Sequence, residues 1–256
     1  AVMNGCDAVQ ATSHAGWLAT LRRRRLHYAG GMGTSLAVLL AAVPLIAQPA
    51  IPRYEVKRAT APIAIDGKLD DAAWAKASPA VTLQFLWDSQ TGAKQKTYVR
   101  VLWDAQALYL GYDADDTDIN AQFMQRDDPT YRDDAVEVFI NPDPKQETVY
   151  YGFEMNVRGV LYDYLNYNSR TFFKRFDATG VKIATSVRGT MNDRTDTDTG
   201  WSLEVAIPWP NFEELSRRPP VVNTVWKVNF NRWDGVEPKK PSRNASERVS
   251  CSTSVV

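Results

Sequence analysis

The chain has 256 residues, 44% hydrophobic and 23% charged, a composition that suits a globular protein with one sizeable core or two small ones. Lys+Arg (30) and Asp+Glu (30) balance, so no basic excess points to nucleic acid or to an anionic membrane. The two histidines, His14 and His27, fall at the extreme N-terminus, which removes Ser-His-Asp catalysis, His-based zinc and His-ligated haem from the rest of the chain.

Residues 1–50 read as a leader. Arg22 to Arg25 form a basic stretch, and Leu36 to Ile46 an apolar run too short to span a bilayer stably. Small residues follow, so a secretory signal peptide cleaved near Ala47 to Ala50 is expected, which makes the protein exported, periplasmic or extracellular. Cys6 lies in this leader and Cys251 in the C-terminal tail, so no disulfide is expected inside the domain.

The domain is expected over residues 51–236. Ile65-Asp66-Gly67 reads as a strand running into an Asp-Gly turn, followed by an Asp71-led helical turn that carries Trp74. From there apolar residues alternate with polar ones, the period of a strand with one buried face. Val99, Val101 and Trp103 form the first stripe, and Leu108 to Tyr112 return after a turn at Asp104. Val136, Val138 and Ile140 face one way and Glu137 the other; Asn141-Pro142-Asp143-Pro144 stops that strand. Tyr151, Phe153 and Met155 lead to a hairpin turn at Asn156-Val157-Arg158-Gly159, beyond which Val160, Tyr162 and Tyr164 continue. Trp201, Leu203, Val205 and Ile207 make another stripe, ended by Pro208, and a second helical turn is expected at Trp209 to Leu215. Trp226, Val228 and Phe230 make the last stripe. Residues 237–256 turn polar and aperiodic and read as a tail, truncated or frame-altered, in which no closing strand is recognisable. Short connections between such stripes predict an all-β, antiparallel sandwich of immunoglobulin or jelly-roll type, with one or two short helical turns.

Four stretches occur in a definite order: Ile65 to Trp74, Val99 to Asp104, Asp134 to Ile140, and Trp201 to Trp209. Together they resemble carbohydrate-binding module family 9, a family of sugar-binding β-sandwiches, over Tyr54 to Asp234. The resemblance implies non-catalytic carbohydrate binding, on mono- or oligosaccharides or chain ends, in polysaccharide breakdown or uptake and in the service of a separate glycoside hydrolase. It also implies a site. Tyr131 stands where the family places a stacking aromatic, usually Trp, and Glu137 where it places a hydroxyl-binding Glu. Asn156 and Asn231 match amide positions, and Trp233 lies just beyond on the strand that also carries Asn229. At Glu154 the family pattern has Arg, a donor to sugar oxygens; an ionised Glu cannot donate. A second stacking aromatic, contributed in the family by a C-terminal loop, is not recognisable. The acidic run Asp113 to Asp118 offers oxygen ligands and is a candidate for structural Ca²⁺, although it lacks the EF-hand glycine and glutamate. Two other readings stay open: a glycoside-processing enzyme using paired carboxylates, and a sandwich interaction module without a sugar ligand.

Overall fold

A computed structural model describes residues 52–83, 96–146, 148–168, 171–173, 176–213, 215, 217–234 and 249–255, with backbone alone for 172 and 249–255. The expected leader, residues 1–50, lies outside the described residues.

The fold is the all-β sandwich that the period of two predicts. One sheet orders β1 (Lys57–Arg58), β3 (Thr97–Trp103), β4 (Ala107–Ala114), β10 (Gly200–Pro208) and β9 (Lys182–Arg188), with β2 (Val81–Leu83) also paired to β3. The other orders β12 (Val249–Val255), β11 (Lys227–Asp234), β5 (Ala135–Asn141), β6 (Tyr150–Asn156), β7 (Leu161–Asn168) and β8 (Thr171–Phe173). Every pairing is antiparallel except β1 with β3, which is parallel. The expected polar tail is corrected at its end, since β12 pairs in register with β11 from Val228↔Val255 to Asp234↔Val249. Its sequence is rich in Ser and Thr and has no apolar stripe, so nothing in its pattern announces a strand. Backbone pairing to β11 supplies what periodicity does not.

Between the sheets lies one apolar core. Val99, Val101, Leu110, Tyr112, Trp201, Leu203, Val205 and Ile207 enter from the first sheet; Val136, Val138, Ile140, Tyr151, Phe153, Met155 and Phe230 enter from the second. Each fully buried large side chain contributes about 1.5–3 kcal/mol. The inward stripe of β11 continues with a charge: Arg232 is 1% exposed, lies 4.9 Å over the Trp201 ring, and meets Asp116 at 2.6 Å and Asp134 at 3.8 Å. Burial, and next the Asp116 charge, push the Asp134 carboxyl well above its ordinary range against the pull of Arg232.

The helical turns are shorter than expected. They are 3-10 turns at Trp74–Lys76 and Trp209–Asn211, and a third, not foreseen, spans Thr130–Arg132. The first belongs to a strap laid over the back of the first sheet. Glu204 points out of that face, fully buried, and accepts three hydrogen bonds: from Asp66 N and Gly67 N at 3.0 Å each, and from Trp74 Nε1 at 2.7 Å. Gly67 takes φ +87°, and a Cβ there would lie 2.4 Å from the Thr185 carbonyl carbon, so the turn admits only glycine. Trp74 packs with Ala73 and Leu102 in a small second core.

Three of the four carboxylates of the acidic run diverge onto arginines: Asp113 to Arg188 at 2.8 Å, Asp116 to Arg232, and Asp118 to Arg194 at 3.4 Å. Among the described residues no group of three or more carboxylate, His or Cys side chains gathers as a metal site.

Candidate functional site

The outer face of the second sheet carries the candidate residues. Strand alternation puts Val136, Val138 and Ile140 into the core, so Glu137 and Phe139 point away from it. The register then builds one polar rank across four strands: Asn231 opposite Glu137, Glu137 opposite Glu154, and Glu154 opposite Tyr162. The next rank runs Asn229, Phe139, Gly152 and Tyr164.

Within the first rank the side chains are linked. Asn231 donates to Glu137 Oε2 at 3.1 Å, and the Trp233 indole N–H donates to Glu137 Oε1. Glu154 in turn donates to Glu137, and the Tyr164 hydroxyl donates to Glu154. Two carboxyls in contact, 3% and 5% exposed, cannot both be charged at modest cost. Burial raises Glu154 to about 9, reinforced by the Glu137 charge. Burial raises Glu137 to about 7, with the bonds from Trp233, Asn231 and Glu154 pulling the other way. Burial thus favours one shared proton over two charges on the pair. Burial also holds the Tyr164 hydroxyl far above its usual range, so it stays a neutral donor. Glu154 Oε2 is buried without a hydrogen-bond partner, and so is Asn229 Oδ1 on the same face.

Aromatic rings surround this floor. Tyr131 sits in the 3-10 turn Thr130–Arg132 and meets Tyr162 edge-on, ring centroids 6.4 Å apart. The turn is tied down on both sides: Thr130 Oγ1 donates to the Glu154 carbonyl at 3.3 Å, and Asp133 accepts from the backbone N–H groups of Gln122 and Phe123. Trp233 stands one rank further along β11, opposite Ala135, and reaches Glu137 with its indole. Tyr162 packs on Tyr164 at 5.6 Å, and Phe139 packs on Tyr150 and Tyr164 at 5.4 and 6.3 Å. Tyr131, Tyr162, Trp233, Phe139 and Tyr150 are half-buried, so flat apolar surface flanks an enclosed polar floor.

Five of the six residues expected at the site share this face or its edge: Tyr131, Glu137, Glu154, Asn231 and Trp233. Asn156 is corrected. It is fully buried, its amide donates to Phe123 O at 3.0 Å and Asp133 Oδ2 at 2.8 Å, and its carbonyl accepts from Arg158 N and Val160 N. All its hydrogen-bonding capacity braces the β6–β7 turn and the Tyr131 loop, which leaves nothing for a ligand. Sequence reasoning passed over Tyr162, Tyr164, Phe139 and Tyr150. The signal was there: Tyr162 and Tyr164 alternate with Leu161 and Leu165, which takes the tyrosines to the outer face.

Two face-packed sheets, one with a polar rank between aromatic rings, define a β-sandwich with a built outer face. Its family is shown by sequence: residues 65–247 match the carbohydrate family 9 binding domain-like family, and the chain belongs to it. No curated protein matches the chain. Among solved structures it is similar to a provisional carbohydrate-binding protein of Bacteroides uniformis, with TM-score 0.60 at 16% identity over 81% of this chain and 91% of that one. It is also similar to a family 9 carbohydrate-binding module of Caldicellulosiruptor kristjanssonii in complex with cellotriose, with TM-score 0.48 at 16% identity, covering 79% of this chain and 83% of that one. The same module in complex with glucose gives TM-score 0.47 at 16% identity, covering 78% and 84%.

Proposed function

We propose that the chain binds carbohydrate without cleaving it, on the outer face of the second sheet. The observation that carries this reading is the rank Asn231–Glu137–Glu154, with Trp233 bonding Glu137 from the adjacent rank and Tyr162 and Tyr131 at the β7 end. Sugars present C–H faces edged by hydroxyls, and they are held by flat rings beside hydrogen-bonding groups. Family membership supports the same reading. The basic and apolar leader supports export, where such a module serves polysaccharide breakdown or uptake beside a separate glycoside hydrolase.

Against the enzyme alternative stands the contact between the two carboxyls. Glycoside cleavage needs them about 5 Å apart or more, across the scissile bond. Glu137 and Glu154 instead stand directly opposite each other on adjacent strands, both buried, on one side of any bound sugar. Titration calorimetry with monosaccharides, cello-oligosaccharides and other neutral oligosaccharides tests the reading, with the same samples assayed for reducing ends. Saturable heat without turnover is expected. Turnover abolished by Glu137→Gln would replace the binding module with an enzyme.

A further inference from the structure

The Glu137–Glu154 pair does more than fill a sheet face. Trp233 and Asn231 direct their donors onto Glu137 alone, which fixes the negative charge on β5. Glu154, one strand over and opposite Glu137, meets Tyr164 and keeps Oε2 buried without a hydrogen-bond partner. A buried acceptor without a donor costs free energy that a ligand hydroxyl can recover. The face therefore sets an unpartnered acceptor beside a buried carboxylate.

We propose that Glu154, which stands opposite Glu137 in the register, is the specificity-determining residue of this face: its Oε2 accepts a hydroxyl of an uncharged sugar, and the negative charge beside it excludes uronic acids. This rests on the reading that the face binds carbohydrate. A hydroxyl brings the proton that Oε2 needs. A uronate brings a second anion against Glu137, into a setting too enclosed for water to screen it. The described groups facing the pair do not offset that charge. Tyr150 lies on its own strand, Tyr162 and Tyr164 on β7, and Tyr131 with the exposed Arg132 in the 3-10 turn. Lys227, the cation that β11 places on this face, stands two ranks away.

The test joins a ligand-free measurement to a binding one. Carboxyl ¹³C NMR titration of the free protein, assigned with Glu154→Gln, is expected to show Glu154 losing its proton only near pH 9. Calorimetry is then run with a neutral oligosaccharide and with the uronic-acid oligomer of the same length. Binding of the neutral sugar and at least about tenfold weaker binding of the uronate are expected at pH 7.5. Above about pH 9 wild-type affinity is expected to fall. Glu154→Gln keeps a donor for Glu137 and an acceptor for the sugar, so it is expected to match wild type at pH 7.5 and to hold its affinity above pH 9. Sugar binding combined with an ordinary Glu154 titration near 4.5 overturns this inference and leaves the binding reading standing. Uronate bound as well as the neutral sugar does the same. No heat from any sugar overturns both.

Discussion

The Tyr164 ring occupies the space that a side chain at Gly152 would need. A Cβ at residue 152 would lie 2.4 Å from Tyr164 Cζ and 2.7 and 2.8 Å from its two Cε atoms. The missing side chain lets the ring lie across β6, where its hydroxyl reaches Glu154. Gly152→Val should drive the ring out against Phe139 and Tyr150 at a cost of about 1–3 kcal/mol, the usual scale of overpacking. Urea unfolding checks the stability, and calorimetry on the folded fraction should find the sugar affinity lost. A variant as stable and as active as wild type would show that the ring has another place to go.

Glu204→Ala should be the most damaging change on the back of the first sheet. It strands the Trp74 indole and two backbone donors at once. At about 1–3 kcal/mol for each buried donor left unsatisfied, a total loss of about 3–5 kcal/mol is expected, some donors finding water. Glu204→Gln should cost less, because the amide keeps one acceptor. Denaturant midpoints of the two variants decide the order.

Arg232→Met removes the cation from a closed acidic group. Asp116 and Asp134 would then lie buried without their counter-charge, a loss of about 3–5 kcal/mol. Adding Asp116→Asn should restore part of it, since the damage comes from the stranded charge rather than from lost packing. A double variant no more stable than Arg232→Met would assign the cost to the Trp201 stack instead.

Tyr131→Ala should weaken sugar binding about tenfold or more while moving the melting temperature little. The ring is half-buried in a loop turn, meets Tyr162 edge-on and lies outside the core cluster. Tyr162→Ala should weaken binding as well but also loosen the ring cluster around Tyr164. Equal losses of stability in both would place Tyr131 in the scaffold rather than in the binding surface.

Stability should fall as pH rises across neutrality. Glu137 and Glu154 have folded values raised to about 7 and about 9 from an ordinary 4.5. Over that interval the folded protein holds more protons than the unfolded chain. The stabilisation is therefore full below about 4.5 and is lost as pH climbs to about 9. The slope per carboxyl can reach about 1.4 kcal/mol per pH unit. Thermal melts at closely spaced pH should show the decline, and Glu154→Gln should flatten it between pH 7 and 9. A melting temperature that rises over this range would contradict the shared proton.

The sandwich was legible because its core strands alternate cleanly. Trp201 to Ile207 and Val136 to Ile140 put every second residue inside, and both stripes are core. The edge strand β12 was not legible, since an outermost strand of Ser and Thr shows no buried side to read. Within the candidate site, Glu137, Asn231 and Trp233 could be placed by counting alternate positions along their strands. The contact between Glu137 and Glu154 could not, because it depends on which residue of β6 stands opposite which residue of β5. Asn156 misled for a related reason. Parity sent it outward, but two loops distant in sequence close over it and use its amide. The clamp at Glu204 was equally hidden, although Asp66-Gly67, Trp74 and the Trp201 stretch were each noticed separately.

That clamp imposes an order in time. Trp74 and its acceptor are separated by 130 residues. As the chain emerges from the ribosome or from a translocation pore, the first recognisable motif of the domain is complete long before its partner exists. Until β10 has emerged and settled beside β4, the strap can rest on β3 but lacks the carboxylate that fixes it, and the Trp74 indole N–H has no acceptor there. The opening stretch of the domain is thus among the last to be fixed in place, and a chain released before β10 would hold its N-terminal motif intact yet unsecured.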